Sequence, residues 1–305
     1  MNPKSSKLKF AAIDIGSNAV RLLIEEVHLA GNSFHVEKVS FTRVPIRLGA
    51  DVFETKMIGE EKQAQLIKAM KAFWYLMDVH SIEHFRACAT SAMREAENSF
   101  DVIAQVKQEA NIDIELIEGT EEAELIFSNF FAQDIDPEGD YLYIDVGGGS
   151  TEVSLIKNGV RIKSRSFPIG TVRILKNKVS KKRWVEARKW IQDLVQKEND
   201  LVAIGTGGNI NKIFKFSGKK PQETISKDEI QEIHSYIGSY GYEERITKLR
   251  LKPDRADVII PAAEIYQNFM EFACITNMMV PKVGLSDGIV LQLFRKWQRE
   301  SQPND

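Results

Sequence analysis

Along the first fifty residues apolar positions alternate with polar ones or gather into short blocks, the spacing of β-strands. Residues 10–15 and 19–27 are β-rich runs on either side of a Gly-Ser-Asn turn, and 34–44 alternates as a third strand. From 60 to 77 the spacing becomes helical, with Leu66, Ile67, Met70, Phe73, Trp74 and Met77 forming an apolar stripe that reads as core. A strand at 85–89, helices at 91–97 and 99–110, a strand at 114–117 and a helix at 121–131 follow. After a turn region at 134–139, marked by Pro137 and Gly139, the pattern restarts. Residues 141–145 and 151–156 are strands around another glycine turn, and 160–167 is a third strand after Asn158-Gly159. A helix at 184–196 and a strand at 201–204 come next. Later segments are mostly helical up to Trp297, including 257–272 with Ile260, Ile265 and Phe269. Two halves that each open with a hairpin carrying Asp-x-Gly at its tip predict an internal duplication of an α/β unit. A cleft between two such halves is where a ligand would bind.

Length and composition narrow this picture. A chain of 305 residues exceeds one ordinary core, so two domains are expected. A formal net charge of −2 gives no global attraction to nucleic acid or membrane, and anion binding must be local. Cys88 and Cys274, both in apolar stretches, form neither a disulfide framework nor a zinc spacing, which fits a reducing compartment. Asp14 interrupts the apolar run after the basic N-terminus, and no stretch reaches membrane-spanning length. The expectation is a cytoplasmic protein.

The chemistry concentrates in glycine turns. Asp145-Val-Gly147-Gly148-Gly149-Ser150-Thr151 sets three glycines between two strands. Glycine loses more freedom on ordering than any other residue, so such a run is useful where backbone N–H groups must turn toward an anion. Asp145, at the strand end, is placed to hold Mg²⁺ directly or through water. Asp14-Ile15-Gly16-Ser17-Asn18 repeats the order of strand, aspartate, glycine and hydroxyl. A third turn, Gly205-Thr206-Gly207-Gly208-Asn209, follows another strand. No Gly-Lys-Ser/Thr follows any of them, so this is not a Walker loop. Two of the three join strand to strand, which excludes a dinucleotide fingerprint.

These residues resemble the exopolyphosphatase and guanosine pentaphosphate phosphohydrolase family, within the actin-like ATPase superfold. The resemblance runs through Asp14-Ile-Gly-Ser-Asn-Ala-Val-Arg21, Arg47-Leu-Gly49, Ala89-Thr-Ser-Ala-Met-Arg94 with Asn98, and Glu118-Gly-Thr-Glu-Glu122-Ala. It continues in Ile144-Asp-Val-Gly-Gly-Gly-Ser-Thr-Glu152, Pro168-Ile-Gly-Thr-Val-Arg173, Gly205-Thr-Gly-Gly208, Arg255-Ala-Asp257 with Pro261-Ala-Ala-Glu264, and Gly284-Leu-Ser-Asp-Gly288. It implies two actin-like (ribonuclease H-like) α/β domains with an interdomain cleft. The expected division is 1–125 and 126–305, with a last helix at about 285–300 packing back on the first domain. Relatives place Thr or Ser and Ala after the third turn's glycines, where this chain has Asn209-Ile-Asn211, and more often carry Glu at Asp287. Longer relatives add a helical HD-type domain, and no His-Asp dipeptide occurs here, so a short two-domain member is expected.

Cleaving a phosphoanhydride requires an in-line water, charge neutralisation and positioned phosphates. Glu121 and Glu122 open a helix whose buried face is set by Ala123, Ile126, Phe127 and Phe130. Glu121 points almost opposite that face and reads as a solvated charge, whereas Glu122 lies at its edge. The family's catalytic glutamate, carried by Glu-Glu-Ala, also falls on Glu122. The resemblance further implies that Asp145, Glu152 and Asp14 organise a divalent metal, Mg²⁺ or another. Candidate phosphate contacts are Ser17 and Asn18; Gly147, Gly148, Gly149, Ser150 and Thr151; Gly207 and Gly208; and Arg94, whose guanidinium fork suits phosphate oxygens. The basic stretch Arg173, Lys176, Lys178, Lys181, Lys182, Arg183, Arg188 and Lys189 is either a solvated face or a track for distal phosphates. Expected partners are polyphosphate or guanosine pentaphosphate and a second copy in a homodimer, with no nucleic acid or membrane. An ATP-using kinase of the same superfold and a non-catalytic polyphosphate or alarmone sensor are the competing readings.

Overall fold

The computed structural model describes residues 7–30, 33–128, 135–136, 138–196, 198 and 200–301. The chain divides into two compact units, Met1–Asn129 with Leu285–Asp305, and Phe130–Gly284.

In the first unit, β1 (Lys7–Ile15) pairs antiparallel with β2 (Val20–Ala30), and β2 with β3 (Ser33–Val44). Helices α1 (Leu48–Thr55) and α2 (Glu60–Val79) lead to β4 (His84–Ala89), which lies parallel to β1. Then come α3 (Ser91–Glu95), α4 (Ser99–Ala110), β5 (Ile114–Leu116) and α5 (Gly119–Ser128). The sheet order is β3-β2-β1-β4-β5. Every residue of β1 from Phe10 to Ile15 is buried, as in a central strand covered on both faces, the one charge being Asp14 at its end.

The second unit repeats this plan. Strands β6 (Tyr141–Val146), β7 (Thr151–Lys157) and β8 (Val160–Phe167) form an antiparallel set, and β9 (Val202–Thr206) is parallel to β6. Between them lie α6 (Thr171–Leu175) and α7 (Lys181–Val195). After β9 come α8 (Gly208–Phe216), β10 (Thr224–Ser226), α9 (Lys227–Gly238), α10 (Tyr242–Thr247), α11 (Pro253–Ala256), α12 (Ile259–Phe272) and β11 (Asn277–Met279). The sheet order is β10-β11-β9-β6-β7-β8. The duplication reaches the hydrogen bonds of the hairpin tips. Gly16 N–H donates to the Ala19 carbonyl at 3.1 Å, and Gly147 N–H to the Ser150 carbonyl at 2.9 Å.

Phe130, the expected helix end at 131, Asp134 and Pro137 lie outside the described residues. One reading needs correction: Cys274 is exposed, not set in apolar surroundings, whereas Cys88 is buried. Cys274 adopts φ 54° just past α12, and Ile275 N–H closes back on the Met270 carbonyl at 2.9 Å. That is the left-handed stop of a helix C-terminus, which turns the side chain away from the core.

The closing helix, α13 (Leu285–Ser301), packs on α5 and β1 of the first unit. Its Phe294 lies between Phe10 and Phe34, at centroid distances of 6.0 and 4.8 Å. Close approach to α5 requires glycine at 288, because a Cβ there would stand 2.0 Å from the Leu125 carbonyl oxygen. Beside this seam Glu25 is buried on β2. Burial, reinforced by Asp287 on α13 and opposed by Lys38, raises its pKa from 4.5 to about 7.

Two tests follow from this seam. Gly288→Ala should lower the stability of the first unit by about 1–3 kcal/mol, read from denaturant midpoints, because backbone rather than a flexible side chain blocks the new methyl. Glu25 binds its proton more tightly folded than unfolded, so its contribution to stability falls as pH rises from 4.5 toward 7. Glu25→Gln should therefore raise the melting temperature at pH 8 and change it little at pH 4.

Candidate active site

The second glycine turn is held from behind. The Gly147 carbonyl accepts from Thr171 N–H at 3.1 Å, and the Gly148 carbonyl from Val172 N–H at 2.8 Å. The Gly149 carbonyl accepts from Nε of the buried Arg173 at 2.5 Å. In a trans peptide the carbonyl and the following N–H point in opposite directions. Three carbonyls tied toward α6 therefore turn the N–H groups of Gly148, Gly149 and Ser150 away from it, as an anion-binding concavity requires. Gly170 makes the close packing possible: a Cβ there would lie 2.4 Å from the Gly149 carbonyl carbon.

The first turn is backed in the same way. Ser17 and Asn18 carbonyls accept from Gly49 N–H at 2.8 Å and Arg47 N–H at 3.0 Å. Arg47 reaches this position in a left-handed conformation, φ 62°. The Arg47-Leu-Gly49 and Pro168-to-Arg173 motifs thus perform one task in the two units. Ser17 Oγ lies 2.9 Å from Ser91 Oγ, which ties the turn to α3. Arg94, on α3, donates to the Ile117 carbonyl just ahead of α5, and its Nε lies 3.9 Å from Glu118. Asp14 is buried at the end of β1 in an ion pair with Arg21, its cross-strand partner.

On α5 the two adjacent glutamates differ, though not as their helix positions suggested. Glu121 is not a solvated charge: it accepts from Arg86 Nη2 at 2.8 Å, and the same guanidinium nitrogen bonds Glu115 at 2.6 Å. Glu122 lies in the first turn of α5, its N–H bonded to the Glu118 carbonyl at 2.9 Å.

Asp145 and Glu152 stand directly opposite one another on β6 and β7. Like charges so placed repel, and two carboxylates side by side, Glu152 buried and Asp145 half-buried, form a hard oxygen donor set suited to a divalent cation such as Mg²⁺. Both are held by hydroxyls. Glu152, 1% exposed, accepts at Oε1 from Ser150 at 2.6 Å and Ser166 at 2.9 Å. Asp145 Oδ1 accepts from Thr206 Oγ1 at 2.6 Å, and Tyr143 Oη lies 2.5 Å from that same Thr206 oxygen. Tyr266 Oη donates to the Thr206 carbonyl and accepts from Val146 N–H at 3.3 Å. Burial, followed by the charge of Asp145, pushes the Tyr143 and Tyr266 hydroxyls well above the usual phenol range.

Two assigned donors serve the loop itself. Thr151 is fully buried and donates to the Ile169 carbonyl at 2.6 Å, so its hydroxyl braces the turn and is not presented to a substrate. Ser150 gives its hydroxyl proton to Glu152 and offers an anion its N–H. The third turn carries Gly207 at φ 112°, a conformation that requires glycine, with Gly208 opening α8. Of the basic stretch, Arg173 is buried, Arg183 bonds the Pro168 and Lys178 carbonyls at 3.2 and 3.3 Å, and Arg188 lies over Phe272 at 4.9 Å. Lys178, Lys181, Lys182 and Lys189 remain exposed. Sequence reasoning missed Tyr143, Ser166, Thr206 and Tyr266. Only Ser166 had a readable signal, alternation on the strand that pairs with Glu152.

Comparisons with known proteins agree with this geometry. Residues 29–297 match the model of the Ppx/GppA phosphatase family. The bifunctional 3-dehydroquinate synthase/phosphatase of Fusobacterium nucleatum is 30% identical over 86% of this chain, which spans 43% of that longer protein. Exopolyphosphatase 2 of Mycobacterium tuberculosis is 27% identical, with 93% of this chain and 98% of that protein covered. In structure, an exopolyphosphatase from Cytophaga hutchinsonii superposes with a TM-score of 0.80 at 22% identity, covering 94% of this chain and 98% of the other. Two glycine turns braced alike in duplicated α/β units, together with a family match over most of its length, make this chain a member of the Ppx/GppA phosphatase family.

Proposed function

We propose that this chain is an exopolyphosphatase that hydrolyses the terminal phosphoanhydride of inorganic polyphosphate. The observation that carries the reading is the orientation of the Gly148, Gly149 and Ser150 N–H groups, fixed by α6 on the strand turn that also carries Asp145 and Glu152. Backbone amides hold the phosphate oxygens there, as the Ser17–Asn18 turn and the Gly207–Gly208 turn do in their own segments, with Arg94 adding charge. Asp145 and Glu152, assisted by Asp14, hold Mg²⁺ or a similar ion, which when bound neutralises developing negative charge. Glu122 orients a water molecule and takes its proton as the water oxygen bonds to the terminal phosphorus. The bridging P–O bond breaks, releasing orthophosphate and a chain shorter by one phosphate. Guanosine pentaphosphate offers the same terminal anhydride and is the alternative substrate, since the family's name covers both activities. A kinase would need an acceptor-hydroxyl base as well, and a sensor would not need Glu122. Cytoplasmic residence and a homodimer complete the proposal.

Holding and cleaving can be tested separately. Glu122→Gln should lower phosphate release by about 10²–10⁴-fold while tripolyphosphate binding stays measurable by calorimetry. Unchanged turnover would remove Glu122 from the mechanism. Gly170→Ala should do the opposite, weakening tripolyphosphate binding first because it displaces the amides. Phosphate release compared on short polyphosphate, long polyphosphate and guanosine pentaphosphate decides the substrate; binding without release on all three would point to a sensor.

A further inference from the structure

The hydrogen bonds behind Asp145 have a fixed direction. Ionised Asp145 has no proton to give, so Thr206 Oγ1 must donate its only proton to Oδ1 at 2.6 Å. Thr206 Oγ1 is then an acceptor toward Tyr143, 2.5 Å away, and Tyr143 must donate. All three oxygens lie on adjacent strands: Tyr143 and Asp145 are two apart on β6, and Thr206 is the residue of β9 paired with Asp145. The position of Thr206 is fixed a second time through its backbone. Tyr266, on α12, links the Thr206 carbonyl to the Val146 N–H and so staples the end of β9 to the end of β6.

An aspartate's terminal torsion is broad and roughly two-fold, so an Asp at a strand end does not fix its own carboxylate plane. Gly207 follows at φ 112°, and a Cβ there would stand 3.4 Å from Asp145 Oδ1. Tyr143 and Thr206 are fully or almost fully buried, and neither belongs to the phosphate-holding amides.

We propose that Thr206 is a positioning residue for the metal: with Tyr143 behind it, its hydroxyl holds the Asp145 carboxylate in the plane from which that group binds the divalent cation. The proposal rests on the reading of Asp145 as a metal ligand. Loss of an outer partner that orients a ligating carboxylate weakens metal affinity.

Mn²⁺ serves as the probe, its binding to the intact protein followed by the loss of its free electron-spin signal, with melting temperature recorded alongside. Thr206→Val keeps the shape and removes the donor, and should weaken Mn²⁺ binding roughly ten- to hundredfold. Thr206→Ser restores the donor and should recover affinity to near the parent value. Tyr143→Phe should weaken it less, in the same direction, and carries the test if Thr206→Val does not fold. Asp145→Asn is the control. If it abolishes binding while Thr206→Val or, failing that, Tyr143→Phe binds Mn²⁺ like the parent, the positioning role is wrong and the metal assignment stands. Equal losses in Thr206→Val and Thr206→Ser would also overturn the role, because the hydroxyl would then not matter. If Asp145→Asn binds as well as the parent, the metal assignment itself fails, and the positioning role with it.

Discussion

A peptide plane sends its carbonyl one way and the next amide the other, and much of the candidate site's architecture depends on which way three planes are turned. In the Gly147–Ser150 turn the choice is made from the carbonyl side. Thr171, Val172 and Arg173 each claim an oxygen, and the amides face outward as a result. Glycine at 170 lets the backing segment approach closely enough to do this. The Ser17–Asn18 turn is handled alike by Arg47 and Gly49. The motif residues after the glycines are therefore clamps that keep polar backbone turned outward.

Hydroxyl groups hold both carboxylates of the β6–β7 hairpin. Asp145 and Glu152 are cross-strand neighbours, and like charges placed opposite one another need compensation. Hydroxyls contribute to it: Ser150 and Ser166 on Glu152, Thr206 on Asp145. Hydroxyls stabilise a carboxylate without supplying a competing positive charge. Asp14 differs, since a guanidinium already neutralises it.

Much of the fold was legible in the sequence because the strands around both glycine turns alternate or run apolar without interruption. The helix at 60–77 was equally plain, and Leu66, Met70, Phe73 and Met77 are buried as its spacing predicts. Other features depend on contacts between distant residues and leave no local mark. Helix α1 starts at a left-handed Arg47, and β10 and β11 are three residues each, too short to show a period. Glu121 was misread because its partner, Arg86, lies thirty-five positions away. Thr206 looked like one more small residue in a glycine turn. Its meaning arises only when β9 lies beside β6, a pairing between residues sixty-one apart.

The placement of α13 has a consequence for how the protein is made. The second unit is one continuous segment, whereas the first joins an N-terminal stretch to a helix from residue 285 onward. Segments leave the ribosome in order, and contiguous units condense as they appear. The unit begun first is therefore the one completed last, because the surface of α5 around Leu125 receives Gly288 only after the whole intervening unit has been synthesised. Until then the helix that carries Glu122 lacks its neighbour, and a truncated or stalled chain holds its glycine turns without a finished seat for that glutamate.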